Sequence, residues 1–236
     1  MGGVGWPETV GRFRDAYRER DIPPHYDGRL HLAITFGGGA LALLACLMQL
    51  HAVQPLEWLT IPLSLVYANL VEYLGHRHPM HRPWRGLGLV YRRHAGQHHR
   101  FFNDQAMPID RLQDLRAVLF PPLLVLFFFG VFATPAWSLL AYFASANVAW
   151  LFVACGIAYF LNYEVLHLAY HLPDTQWLAR LSLVRKLRGL HTLHHDPRRM
   201  ASSNFNITYP LGDVLFGTLR RVSADAGDSA RDSHPG

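Results

Sequence analysis

The chain has 236 residues, of which 17% are charged and 50% hydrophobic, with a formal net charge of +5. Soluble domains carry about 25% charged residues, yet the mean hydropathy here is only +0.07. These values exclude an ordinary soluble domain and point to a part membrane-embedded, part polar protein of one domain. The basic balance does not mark a nucleic-acid binder, because the cations are not spread along the chain.

All 22 Lys and Arg fall in three blocks, at 12–29, 77–116 and 180–231. The first block belongs to a polar N-terminal segment, residues 1–29, without the pattern of a cleavable signal peptide. The first cation-free gap follows, interrupted near His51 and Pro55, and reads as two spans at about 30–50 and 56–75. The second gap reads as spans at about 117–133 and 136–166, separated by Thr134-Pro135. Each is near the ~20 residues that cross a hydrocarbon core of ~30 Å. The expected fold is therefore all-α and polytopic, with four transmembrane helices in two hairpins forming an integral-membrane unit over 30–222. Neither hairpin tip holds Lys or Arg. By the positive-inside rule the N-terminus, the segment 76–116 and the C-terminal third 167–222 face the cytoplasm, the last two as a helical cap. A soluble protein with two buried hairpins is the bland alternative, but the cation-free gaps exceed an ordinary core helix pair. A helix over 136–166 would measure about 46 Å and so carry its end into the cytoplasmic layer. Cys46 and Cys155 lie inside spans and read as packed thiols. Residues 223–236, rich in Ser, Asp, Gly and Ala, read as a disordered tail.

The chain has fifteen histidines. Ten form four clusters on the cap side: His76 and His81; His94, His98 and His99; His167 and His171; His191, His194 and His195. Neutral imidazole is the commonest transition-metal ligand. Three or four histidines hold one ion, so ten suit two. The pairs His94/His98, His167/His171 and His191/His195 are four apart, which puts each on one face of an α-helix. Pro79 between His76 and His81 predicts a helix end followed by a turn. A dinuclear site is expected between cap and membrane. Ligating imidazoles need an acceptor at the second nitrogen, for which Glu72, Glu164 and Asp196 are the candidates. His78 sits among ligands without completing a pattern, and His25, His31, His51 and His234 read as interfacial or solvated.

With these residues the chain resembles the membrane-bound fatty acid hydroxylase superfamily, which includes sterol desaturases and sterol methyl oxidases. The cluster order is most similar to that of fatty acid 2-hydroxylases. The likeness covers roughly 55–220 and extends to EYLGHRHPMHR (72–82), HAGQHH (94–99), VLFPP (118–122), YEVLHLAYH (163–171), LHTLHHDP (190–197) and NFNITYPLGDVLFGT (204–218). The resemblance implies two iron ions on the ten histidines, with zinc or another divalent metal a possible occupant after purification. It further implies O₂ as cosubstrate, a membrane lipid or acyl chain as substrate, and oxygen insertion at an unactivated C–H bond. Only about 29 residues precede the first span, so electrons are expected from a separate donor, a ferredoxin or a b-type cytochrome system. The segment 100–119 is longer than in the eukaryotic 2-hydroxylases, which leaves the oxidised position open. Arginine outnumbers lysine 21 to 1, which suggests a GC-rich bacterial genome and the bacterial inner membrane. The oligomeric state has no signal. The nearest rival is desaturation or methyl oxidation on the same site. A metal transporter would place its ligands near mid-membrane, and a bis-histidine haem protein would leave most of the ten unexplained.

Overall fold

The computed structural model describes residues 7–221. The expected tail at 223–236 lies outside the described residues, as does the start of the N-terminal segment. Among the described residues the architecture is all-α, the one β feature being an isolated bridge between Asn103 and Ala106.

Helix α1 (Glu8–Arg20) follows Pro7 and buries Val10, Arg14 and Tyr17. Helix α2 (Gly28–Leu47) starts at Asp27, whose carboxylate accepts the Arg29 N–H at 2.7 Å and satisfies an orphan donor of the first turn. A Cβ at Gly28 would come 2.3 Å from the Leu112 carbonyl oxygen, so only glycine lets α2 begin against the segment that later leads into the membrane. Helix α3 (Thr60–Gly75) is preceded by a 3₁₀ turn, Pro55–Leu59, and runs on into a π-helical turn, His76–Met80. Helix α4 spans residues 88–101 and is π-helical over Arg92–His98. Helix α5 spans residues 122–143, and α6 is Ala146–Tyr170. Helices α7 (Ser182–His194) and α8 (Leu211–Leu215) complete the cap.

The helix α6 is the central post and touches α2, α3, α5 and α7. Among the described residues three helical runs are long and apolar enough to cross a membrane: α2, the run Leu112–Phe143 that contains α5, and α6. Where four spans were expected, the remaining one is α3, whose 16 residues fall short of the ~20 that a span needs. Its turns at both ends lengthen the helical path to 55–80. Large apolar side chains stand exposed on three of these elements, Leu41 on α2 (69%), Leu63 on α3 (69%) and Leu123 on α5 (79%). Helices apolar on their outward faces belong in lipid, and the chain is a membrane protein.

One boundary differs from expectation. Thr134-Pro135 does not break the third span; the turn comes at Ala144–Ser145. A proline inside a helix lacks the N–H for its backbone bond and crowds the preceding turn. The π-helical turn Phe129–Ala133 immediately before it is wider by one residue and takes up that crowding. Ser145 is extended and its hydroxyl accepts the Val148 N–H at 3.1 Å, which starts α6. The two tips are clasped to each other: Asn147 bonds the His51 backbone at 3.0 and 2.9 Å and donates to Glu57 at 2.9 Å. The tips thus share one end of the bundle, and the histidine clusters occupy the other.

Candidate metal centre

The ten clustered histidines converge from four chain segments, and all are buried, none more than 8% exposed. Nine sort into two groups by their ring nitrogens. His76, His81, His94, His99 and His194 form one; His98, His171, His191 and His195 form the other, with nitrogens within 4.8 Å of one another in each. His167 stands beside the second, its Nε2 3.3 Å from that of His98.

Helix geometry explains the sorting. In a π-helical turn the residue five positions on falls on the same face, where an α-helix would put the fourth. The two π turns therefore pair His76 with His81 and His94 with His99, each with Nε2 atoms 3.1 Å apart. In α7 the ordinary spacing holds, and His191 meets His195 at 3.0 Å. The expectation that His94 and His98 share one metal is thus corrected: they go to opposite groups, their rings stacked 5.1 Å apart. His194 and His195 likewise diverge. The groups share a wall where His99 stacks on His195 with centroids 4.2 Å apart.

Second nitrogens are held by backbone carbonyls. Nδ1–H of His98 donates to Ala117 O at 2.8 Å, of His171 to Met107 O at 2.8 Å, of His194 to Ser203 O at 2.9 Å and of His195 to Phe102 O at 2.8 Å. His76 Nδ1 donates to Phe205 O. A carbonyl can only accept, so these five rings carry their proton on Nδ1 and turn the Nε2 lone pair inward. The carboxylates expected in this role work elsewhere. Glu72 accepts from the backbone of Ile207 and Thr208 and from two hydroxyls. Asp196 binds Arg198. Glu164 Oε1 accepts the Phe120 N–H at 3.4 Å. None of the three bonds an imidazole among the described residues, and backbone carbonyls supply the acceptors instead. His81, His99, His167 and His191 have no protein partner at Nδ1 among the described residues.

The donor set fits metal ions. Inward Nε2 atoms lie 2.7 Å apart in His76 and His94, 3.0 Å in His81 and His194, and 3.3 Å in His171 and His191. Two nitrogens at right angles about an ion at ~2.1 Å are about 3 Å apart. Lone pairs at that separation repel unless a cation lies among them. Protonation is no substitute, because burial holds these rings neutral. Desolvation pushes the pKa of His98 and His194 down to about 4; it also holds those of His76, His94, His99, His191 and His195 well below the ordinary histidine range, with neighbouring imidazoles adding to it.

A largely apolar cleft adjoins this centre. Val90, Leu119, Phe120, Leu124 and Tyr163 line it together with Arg93 and with His94, His98 and His167. It is narrow, about 40 Å³. The family model of fatty acid hydroxylases matches residues 61–218, about two thirds of the chain and every clustered histidine. The protein belongs to the fatty acid hydroxylase family. A search of curated proteins and one of solved structures gave no match. In this fatty acid hydroxylase family member the remaining histidines lie apart from both groups. His78 is partly exposed, 6.0 Å from the Trp84 ring. His31, expected at the interface, is instead buried between the Tyr26 hydroxyl (2.8 Å) and the Phe120 carbonyl (3.0 Å), since α2 packs its first turn under the cap. His234 lies outside the described residues.

A support that sequence reading missed is Arg14, fully buried, which donates to Phe101 O at 2.8 Å, Ala106 O at 2.7 Å and Asp110 at 3.1 Å. Arg18 binds Asp114 at 2.9 and 2.8 Å. The available signal was the matched spacing of four in Arg14/Arg18 and Asp110/Asp114, in a chain with only 17 acidic residues.

Proposed function

We propose that this protein is an O₂-dependent di-iron oxygenase that hydroxylates an unactivated C–H bond of a membrane lipid or fatty acyl chain. The observation that carries this reading is the pair of adjacent, buried, all-imidazole groups beside a largely apolar cleft. Nitrogen donors without carboxylates suit a transition metal, and bound iron would supply the O₂-activating redox chemistry that zinc lacks. His76, His81, His94, His99 and His194 would hold one ion; His98, His171, His191 and His195, with His167 adjacent, the other.

The chain's own residues prepare the site. The carbonyls of Ala117, Met107, Ser203, Phe102 and Phe205 hold five rings in one tautomer, so no ring must turn or lose a proton before binding metal. Leu119, Phe120 and Leu124 give an acyl chain an apolar path, and burial of the imidazoles keeps bulk water from the reacting carbon. Hydroxylation places one oxygen atom in the C–H bond and releases the other as water, which consumes two electrons and two protons. A ferredoxin or b-type cytochrome system is the donor in this reading. In this reading the cap and both termini face the cytoplasm, which the cation distribution supports, and the membrane is a bacterial inner membrane.

The test joins metal analysis with lipid mass spectrometry. Purified protein should hold two irons per chain, and membranes expressing it should gain lipids with one added oxygen atom that carries label from ¹⁸O₂. Loss of two hydrogens without added oxygen would assign desaturation instead. A chain with far less than one metal would overturn the reading.

A further inference from the structure

Arg93 is the one charged residue lining the cleft, and among the described residues its charge has no counter-ion. Its Nη2 donates to the Arg116 carbonyl at 2.8 Å. Arg116 in turn donates to the Asp21 carbonyl at 2.9 Å and lies over the Tyr26 ring at 5.7 Å. Around Arg93 stand the Tyr17 and Tyr26 phenols and the Arg116 guanidinium, none of them an anion at neutral pH. Arg14, Arg18, Arg188 and Arg198 all have a carboxylate within ion-pair distance, whereas Arg93 and Arg116 do not. Burial lowers the Arg93 pKa, Tyr17 opposes that, and Arg116 adds to it. A partly buried guanidinium beside a second one, with only a carbonyl and the neutral Tyr17 phenol as partners, is a desolvated charge awaiting compensation. Guanidinium pairs best with carboxylate or phosphate.

Position gives this charge a use. Arg93 precedes His94, whose Nε2 belongs to the first imidazole group, and both line the same cleft opposite Leu119, Phe120 and Leu124. We propose that Arg93 is the head-group receptor of the cleft and that the substrate is an anionic amphiphile, whose carboxylate or phosphate pairs with Arg93 while its chain runs to His94, His98 and His167. This rests on the oxygenase reading and adds to it a substrate class.

The test measures binding rather than turnover. Full-length protein in phosphatidylcholine nanodiscs is titrated with palmitic acid, methyl palmitate and 1-palmitoyl lysophosphatidic acid. At least one anion should bind about tenfold more tightly than the neutral ester. Arg93→Gln should bring acid and ester to equal affinity at unchanged metal content, and Arg93→Lys should keep part of the preference. Preference for palmitate alone assigns a carboxylate head, and for lysophosphatidate alone a phosphate head. Equal binding of acid and ester by the unaltered protein, binding of neither anion, or an intact preference in Arg93→Gln each overturns the proposal. The comparison on the unaltered protein stands even if the variants fold poorly. An oxygenase with no anion preference would lose this inference alone, and a chain that prefers anions but binds no iron would lose the oxygenase reading.

Discussion

Glu72 and Thr208, 136 residues apart, are joined twice: the Thr208 N–H donates to Oε1 at 3.0 Å and its hydroxyl to Oε2 at 2.6 Å. The same carboxylate accepts the Ile207 N–H and, at 2.5 Å, the Tyr159 hydroxyl. Four donors thus converge on one half-buried carboxylate that fastens the C-terminal loop to α3 and α6. Two residues before Ile207 is Phe205, whose carbonyl orients His76. Asp213 braces the same stretch, accepting the N–H groups of Phe205 and Asn206 at 2.9 and 2.8 Å.

Glu72→Gln should therefore weaken both the fold and the metal centre. The amide replaces one acceptor with a donor that faces other donors, at a cost of about 1–3 kcal/mol. A thermal melt should show the lower midpoint, and metal analysis a loss greater than unfolding alone explains. A variant with unaltered melt and metal content would remove this latch from the account of the site.

The two groups give metal loss a pattern. His194 belongs to the first and His171 to the second. Either His194→Ala or His171→Ala should abolish activity and lower metal content by about one ion. His167→Ala should keep more metal than either, because its nitrogen lies outside both groups. His234→Ala should change neither. Loss of both ions from each single variant would mean that the two sites assemble as one unit.

Neutral burial of the imidazoles makes metal-free protein sensitive to acid. The His98 and His194 pKa values fall from 6.5 to about 4 on folding, so between these limits the unfolded chain binds more protons than the native one. Stability then rises with pH through this window. It is fully present above about 6.5 and is lost as pH falls toward about 4. Melts of chelator-treated protein across that range should drop steadily, and metal-loaded protein should resist until the ions leave. A flat profile for the metal-free form would contradict the buried neutral rings.

The one-sidedness of the clusters was legible because charge and hydropathy follow the bilayer directly. The partition between the two groups was not. In HAGQHH the choice of His98 or His99 as the partner of His94 depends on whether the turn is α or π, and the residues are compatible with both. The acceptors were equally hidden. Carboxylates announce themselves in a sequence, and Glu72, Glu164 and Asp196 were named on that ground, but backbone carbonyls such as Ala117 O have no side-chain signature. The stretch NFNITYPLGDVLFGT was visible only as a likeness. Its work as latch and carbonyl donor emerges once it is seen against α3.

The N-terminal helix, which in the sequence reads only as a polar segment, carries a test of its own. Arg14 binds the Phe101 carbonyl, and the next carbonyl, Phe102 O, is the one that holds His195. Arg14 also stacks on both rings, its guanidinium carbon 4.8 Å from the Phe101 centroid and 5.2 Å from that of Phe102. Replacing it leaves the buried carbonyls of Phe101 and Ala106 without their donor, while Asp110 keeps Arg18 at 2.9 Å. Each buried acceptor left unsatisfied costs about 1–3 kcal/mol. Arg14→Ala should therefore lower the melting midpoint sharply and disturb the second imidazole group before the first, since Phe102 O serves His195 and not His194. Arg14→Lys keeps the charge but lacks the planar fork that spans three acceptors, and should recover only part of the loss. Metal content of the two variants, set beside His171→Ala and His194→Ala, shows which ion leaves first. Loss confined to the first group would break the link from α1 to His195.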